Sequence, residues 1–249
     1  MKRALLLLSL ATACVQTTGG SLVTFSAEAV GTPAAASGFT TAKGYDVTLS
    51  RAQLFVGAVY LNQSNPAEHT LETSCILPGI YSGEVRGSLT IDALSGAAQA
   101  FPAPGNGTDS PVLAGELWLT DSDVNDDDSR TVVLDVAGVA TRGGMSWPFS
   151  AAFTIGKNRK LPPRDPALPG SNPLCKERIV SPIPTSLTLK EGGTLRLVVD
   201  PRAWFSSVEF SELTGATFID DSSTAMQPDI ALYNALRAAK GPYTFEWRE

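Results

Sequence analysis

Residues 45–61 read YDVTLSRAQLFVGAVYL, and this stretch decides the fold. Its first half alternates between apolar and polar residues, which is the pattern of a strand with one buried face. From Leu54 to Leu61 the run is mainly apolar, as in a strand that is buried on both faces. Gly57 interrupts this run and predicts a bulge or a bend. We therefore expect a long strand here, in a β-rich fold.

The rest of the chain repeats this pattern in shorter segments. The glycine pairs 143–144 and 192–193 are hairpin signals. Strands at such short intervals, separated by turns, are typical of a β-sandwich or a barrel. We predict a mostly β fold, a single antiparallel β-sandwich of the immunoglobulin or jelly-roll type spanning residues 22–249. Its further strands are expected at 22–27, 82–92, 112–120, 131–141, 145–156, 185–189, 195–199 and 243–247.

Three other segments depart from the strand pattern. Residues 229–240 carry apolar side chains at helical spacing and are followed by Gly241 and Pro242, which predicts one short C-terminal helix. Residues 97–110 are rich in proline and glycine and predict a surface loop. Residues 157–184 carry seven prolines and predict a second, long proline-rich loop.

Composition and charge exclude one class of function. Of the 249 residues, 18% are charged, and 19 lysines and arginines against 25 acidic residues give a net charge of −6. The basic residues are scattered, whereas nucleic-acid binding requires a concentrated basic surface. We therefore expect no nucleic-acid partner.

The amino terminus predicts export and a membrane anchor. Lys2 and Arg3 precede a short apolar run from Ala4 to Leu10, and small residues lead to Cys14, so residues 1–13 are interpreted as a signal peptide. The segment resembles a bacterial lipoprotein signal, which implies lipidation (palmitate) of Cys14 and a lipidated tether over residues 14–21. Ordinary cleavage after an A-x-A site is the alternative. No aspartate follows Cys14, and we expect lipid anchoring in the outer membrane of the cell envelope.

The cysteines agree with export. Beside Cys14 the chain has Cys75 and Cys175, and an even pair in an oxidising compartment predicts a disulfide bond. Two buried thiols or a metal site are the alternatives. Because His69 is the only histidine, the chain lacks the ligand spacings of known zinc sites.

Residues 121–128 read DSDVNDDD and form the most acidic stretch. Asp121, Asp123 and Asn125 place oxygen ligands at alternate positions, as calcium-binding loops do, and they are the candidate metal residues. The sixth and twelfth positions of such a loop require Gly and Glu, but here they are Asp126 and Val132. A solvated hairpin tip between two strands is the alternative.

Several motifs together resemble a group of secreted myxobacterial lipoproteins. Those motifs are residues 44–60, Pro78-Gly79 with Tyr81, 83–85, 91–92, 200–204, 208–210 and 243–247. Histidines that flank the Pro-Gly pair in that group imply metal handling, but Leu77 and Ile80 stand at those places here. The Pro-Gly segment is also faintly similar to periplasmic copper proteins associated with methanobactin operons.

Two functions follow as hypotheses. No nucleophile elbow, zinc-protease motif, P-loop or dinucleotide fingerprint occurs, so we expect a non-catalytic outer-membrane lipoprotein that binds a ligand or an envelope protein, for example as a transport accessory. The alternative is a periplasmic protein that handles calcium or copper, or an enzyme with a spatially assembled acidic site. No catalytic residue is predicted and no cofactor is expected; Ca²⁺ at residues 121–128 is the one candidate.

Overall fold

The computed structural model describes residues 20–64, 80–121, 123–159 and 174–249. In this part of the chain the fold is mostly β, with one large mixed sheet and two helices. The helices are α1 (Leu174–Arg178) and α2 (Gln227–Leu236). The strands are β1 (Leu22–Val30), β2 (Phe39–Thr40), β3 (Asp46–Asn62), β4 (Tyr81–Asp92), β5 (Gln99–Ala100), β6 (Gly105–Thr108), β7 (Pro111–Trp118), β8 (Val132–Arg142), β9 (Met145–Thr154), β10 (Ile179–Thr188), β11 (Thr194–Val199) and β12 (Tyr243–Arg248).

Strand β3 is the centre of the sheet, as residues 45–61 predict. Along one side it pairs with β4, and along the other it pairs first with β8 and then with β7. The change of neighbour occurs near Gly57, where the β3–β4 register also shifts. A Cβ atom at Gly57 would lie 1.7 Å from the carbonyl oxygen of Thr120, so only glycine fits against the chain that leaves β7. The predicted bulge is confirmed.

The order of strands corrects the predicted topology. The main path is β10-β7-β3-β4-β6-β1-β11-β12, with β8 and β9 continuing from β3. The prediction of purely antiparallel pairing is wrong at β1 and β11, which run parallel from Ser26 opposite Thr194 to Val30 opposite Val198. The two-layer sandwich is not confirmed, because hydrogen bonds connect these strands into one sheet.

The two ends of this path approach each other. Strands β10 and β12 pack side by side, and Gly115 of β7 faces Phe245 of β12. A Cβ atom at position 115 would lie 2.1 Å from the ring of Phe245, which explains a glycine inside this buried strand. The aromatic residues of β12 belong to the core, since both Tyr243 and Phe245 are buried and the partly buried Trp247 packs against the core.

The prediction for residues 97–110 is wrong, because this stretch forms β5 and β6. The glycines that suggested a loop instead allow close packing against neighbouring residues. A Cβ atom at Gly105 would lie 2.1 Å from the ring of Phe25, and one at Gly107 would lie 2.5 Å from the carbonyl oxygen of Ser82. Likewise α1 and the first part of β10 lie within the predicted loop 157–184, of which residues 160–173 lie outside the described part.

The two glycine-pair turns have different outcomes. Gly143 and Gly144 have φ values of 60° and 81° and join β8 to β9 in a paired hairpin, as predicted. The second pair turns the chain with Gly192 at a φ of 74°, but β10 and β11 pair with other strands. The hairpin prediction is therefore wrong there.

Helix α2 confirms the predicted C-terminal helix, with different bounds. Asp229 receives the backbone N–H of Met226 at 2.7 Å, which caps the first turn. Neither of the helices described here has the length and apolar character needed to cross a bilayer.

Candidate functional site

A buried carboxyl group on β7 organises the most unusual polar cluster of the described chain. Glu116 lies directly opposite Tyr60 of β3, and side chains of opposed residues share one face of a sheet. The alternation of strands places Asn62 and Trp118 on that same face, and Tyr81 of β4 is opposite Asn62. We call these residues, together with Ser181, the Glu116 cluster.

Ser181 joins the cluster through an irregularity in β10. Val180 is opposite Leu117 and Ile183 is opposite Gly115, so β10 uses one more residue than β7 between these two pairs. Ser181 lies in this bulge, beside Glu116. The cluster is thus assembled from four strands of the sheet, and it lies where β3 ends and β4 begins.

Within the described residues, two groups form hydrogen bonds with the Glu116 carboxyl group. Asn62 donates Nδ2–H to Oε1 at 3.0 Å, and the Tyr81 hydroxyl donates to Oε2 at a long 3.4 Å. Trp118 Nε1–H and the Ser181 hydroxyl are close enough to lower the pKa of Glu116, but neither has a partner in hydrogen-bond geometry. The Oδ1 atom of Asn62 also lacks a partner. Unpaired buried polar atoms are rare and costly, and three of them meet in this cluster.

Burial dominates the electrostatics of the site. Glu116 is fully buried, and its loss of hydration raises its pKa above the ordinary glutamate value. Within the described residues no arginine or lysine forms a salt bridge with it. Burial and the neighbouring Glu116 carboxyl group also raise the pKa of Tyr81. Perturbed carboxyl groups of this kind are candidates for functional sites.

Asp220 shows how this fold treats a half-buried carboxyl group elsewhere. Arg159 Nη2 lies 2.6 Å from Asp220 Oδ1, and Thr154 donates both its N–H and its hydroxyl to Oδ2 at 2.9 and 2.8 Å. The ring of Tyr233 covers Arg159, with the guanidinium carbon 3.7 Å from the ring centroid. Asp220 therefore has a complete set of partners and a structural role, in contrast to Glu116.

Aromatic rings form the walls of the Glu116 cluster. The ring centroid of Tyr60 lies 4.8 Å from that of Trp118 and 5.6 Å from that of Tyr81. Tyr81 is 37% exposed, and the adjacent Ile80 is 51% exposed. The cluster therefore has a solvent-facing side at the start of β4. Among these six side chains, Glu116 is the only acid.

The acidic loop 121–128 has a different geometry. It connects β7 and β8, which pair with β3 in succession and not with each other, so the predicted hairpin tip is wrong in its pairing. Asp121 accepts a hydrogen bond from the Thr131 hydroxyl at 2.8 Å, and Asp123 accepts the backbone N–H of Asn125 at 2.8 Å. The predicted ligand side chains are therefore used within the loop.

Arg178 of α1 fixes this loop from inside the protein. It is fully buried and donates to the carbonyl oxygens of Ile155 at 3.0 Å and Asp123 at 2.8 Å, and also to that of Asp126. Carbonyl oxygens are ligands that Ca²⁺ requires, and two of them in this loop are bonded to a cation of the protein. No group of three or more His, Cys, Asp or Glu residues suited to a metal ion occurs in the described ranges. The calcium site remains a prediction.

The other predicted residues lie largely outside the described part. Cys14, His69 and Cys75 are among them, together with the signal peptide. Cys175 is described and fully buried in α1. Lipidation of Cys14 and a bond between Cys75 and Cys175 stay predictions.

Comparison with protein-family models, with curated proteins and with solved structures found no match to this chain. The sequence patterns did not predict the Glu116 cluster. One signal was present, since Glu116 is the only charged residue in the otherwise apolar stretch 112–119.

Proposed function

We propose that this chain is a non-catalytic, lipid-anchored protein of the outer membrane whose β-domain binds a ligand at the Glu116 cluster. One observation carries the proposal, namely a fully buried carboxyl group that has no salt bridge within the described residues, beside buried polar atoms that form no hydrogen bond in that part of the chain. Such an arrangement costs stability, and proteins retain unsatisfied polar groups mainly where function requires them.

The anchor is supported by the sequence before the first strand. Leu22 begins β1 eight residues after Cys14, so a tether of at most about 28 Å joins the domain to the acylated residue. Labelled palmitate should enter the wild-type protein and should not enter a Cys14→Ser variant. Label in the variant, or a wild-type protein without lipid, would contradict the anchor.

We also propose that the sheet folds into two packed layers, as in a sandwich. The register of β1 supports this, because its first half pairs with β6 and its second half pairs with β5 and β11. The close approach of Gly115 and Phe245 from different parts of the sheet also supports it. In this arrangement the Glu116 cluster would lie on the face of β7 opposite to Phe245.

A pair of carboxamide substitutions tests the binding role of Glu116. In Glu116→Gln the shape is kept and an uncompensated buried charge is removed, so the free energy of unfolding at neutral pH should change by less than about 1 kcal/mol or increase. In Asp220→Asn the buried Arg159 loses its partner, and a loss of about 3 kcal/mol is expected. Chemical denaturation of both variants measures this difference.

One result of this comparison of variants would contradict the proposed site. If Glu116→Gln is as destabilising as Asp220→Asn, then Glu116 is a structural residue and the proposed site is wrong. If only Asp220→Asn is destabilising, the fold does not depend on the charge of Glu116. Ligand binding would then offset the cost of burying that charge.

A further inference from the structure

We propose that the ligand of the Glu116 cluster carries an alkylammonium group, which binds between the Glu116 carboxylate and the rings of Tyr60, Tyr81 and Trp118. This inference rests on the proposed function, in which the cluster binds a ligand, and it names the chemical class of that ligand.

Glu116 has no counter-charge among the described residues. Several buried or half-buried acids of the described chain are paired with arginine, as Glu28 is with Arg196 at 2.5 Å and Glu177 is with Arg237 at 2.7 Å. Buried Asp229 has no arginine, but it accepts two backbone N–H groups at the start of α2, at 2.6 and 2.7 Å. Glu116 is more deeply buried than Glu28 and has only neutral neighbours. Removing a carboxylate from water costs several kcal/mol unless an opposite charge compensates it. A cationic ligand supplies the partner that the described chain does not.

The aromatic residues of the Glu116 cluster also favour a cationic ligand. Three aromatic rings lie on the face of the sheet that carries the Glu116 carboxyl group, and Tyr60 packs directly against both of the others. The faces of Tyr and Trp rings attract cations, and cages of such rings are the usual recognition element for methylated ammonium groups. Apolar methyl groups on the cation would also be buried against these rings.

The polar atoms that the cluster offers favour an organic cation over a metal ion. Hard metal ions such as Ca²⁺ require six to eight oxygen ligands. The cluster offers the two Glu116 oxygens, Asn62 Oδ1 and the hydroxyl groups of Tyr81 and Ser181, and its remaining surface is aromatic. Asn62 Oδ1 has no donor, and a polarised N–H or N–CH₃ group of an ammonium ligand would supply one.

Tyr81 marks the route by which such a ligand enters. It is the most exposed of the three aromatic residues, and its 3.4 Å hydrogen bond to Glu116 is the longer of the two that the carboxyl group accepts. Exchange of this weak bond for an ion pair costs little. The ligand therefore replaces Tyr81 as a partner of Oε2, and the Tyr81 ring moves over the bound cation.

A titration with tetramethylammonium chloride tests the inference directly. The readout is the ¹H–¹⁵N spectrum of the four tryptophan indole groups, in which the Trp118 signal is assigned with a Trp118→Phe variant. We expect the Trp118 signal to shift saturably with the full chain, and tert-butanol, which has a similar shape and no charge, should not shift it. Affinity should fall at least about tenfold in Glu116→Gln and in Tyr60→Leu, and should be largely kept in Tyr60→Phe.

An exposed acid provides the matched control. Asp135 is paired with Arg51 on the surface, and Asp135→Asn should leave the affinity unchanged. The inference is overturned if tetramethylammonium does not bind, if Glu116→Gln binds it equally well, or if calcium or copper ions shift the Trp118 signal and tetramethylammonium does not. In these cases the stability comparison of Glu116→Gln with Asp220→Asn still decides separately whether Glu116 is a structural residue.

Discussion

Asn62 donates its side-chain amide to Glu116 at 3.0 Å, and this bond joins the last residue of β3 to a fully buried carboxyl group in β7. Both residues have no exposed surface, and the second polar atom of Asn62 has no partner. The bond orients the carboxyl group without neutralising it. Glu116 is thus held in place by neutral donors, which is the property on which the account of function depends.

The raised pKa of Glu116 predicts an unusual dependence of stability on pH. Its folded-state pKa lies above the unfolded value of about 4.3, so the folded protein holds this proton more tightly. The contribution of Glu116 to stability is therefore complete below the unfolded pKa and is lost as pH rises through the folded pKa. We expect the free energy of unfolding of Glu116→Gln, relative to wild type, to increase from pH 4 to pH 7.

Urea denaturation at several pH values measures this difference. Burial also raises the pKa of Asp220, but that carboxyl group is present in both proteins, so its contribution cancels in the comparison. A difference between variant and wild type that stays constant with pH, or that reverses sign, would show that the Glu116 proton is not held more tightly in the folded state.

Arg178 should be essential for the stability of the loop after β7. Its guanidinium group donates to carbonyl oxygens of Ile155, Asp123 and Asp126, and an Arg178→Met variant would remove all of these buried hydrogen bonds. We expect a loss of about 3 kcal/mol in the free energy of unfolding. Arg178→Lys should recover only part of it, because an ammonium group lacks the planar set of donors.

The control for this prediction is an arginine with a surface salt bridge. Arg51 is half-exposed and paired with Asp135, and Arg51→Met should cost less than about 1 kcal/mol. Equal losses in the two methionine variants, measured by denaturation, would mean that Arg178 does not fix the loop.

Calcium should not stabilise the protein. Arg178 is bonded to two carbonyl oxygens of residues 121–128, and the side chains of Asp121 and Asp123 already accept local hydrogen bonds. We expect no change in Tm with millimolar calcium. A bound ion at a hundred times its Kd would add about 2.7 kcal/mol, so a clear rise in Tm that is lost in Asp123→Ala would establish the site.

The two internal cysteines should form a bond after oxidative export. Cys175 is fully buried in α1. This helix directly precedes β10, the strand that contributes Ser181 to the Glu116 cluster. Non-reducing peptide mapping of the exported protein is expected to link the peptides that contain Cys75 and Cys175. Recovery of both as free thiols would argue against the bond.

The strands could be predicted from sequence because their signal is local. Alternation in residues 45–61 and the turn at Gly143 and Gly144 depend on neighbours in the chain, and both are confirmed. The strand β6 was not predictable in this way, because its glycines are set by Phe25, some eighty residues away. The parallel pairing of β1 with β11 is also non-local, since no periodicity within either strand encodes its partner.

The site was not predictable for the same physical reason. The cluster combines residues from β3, β4, β7 and β10 that are separated in the chain by up to about a hundred and twenty positions. Sequence reveals a lone glutamate at position 116 in an apolar strand, but whether such a residue faces solvent, an arginine or a ring depends on the register of its neighbours. The loop 121–128 was conspicuous in the sequence because its acidic residues are adjacent. Acidic residues that are adjacent in sequence do not for that reason surround a metal ion.

The most direct test is an NMR titration of the Glu116 carboxyl carbon, with its signal assigned by comparison with Glu116→Gln. The account predicts that this carbon titrates with a pKa clearly above the ordinary glutamate value of about 4.3, and that added tetramethylammonium moves the pKa downward by pairing with the ionised form. A pKa at or below the ordinary value would mean that Glu116 is solvated or already paired, and it would contradict the central claim.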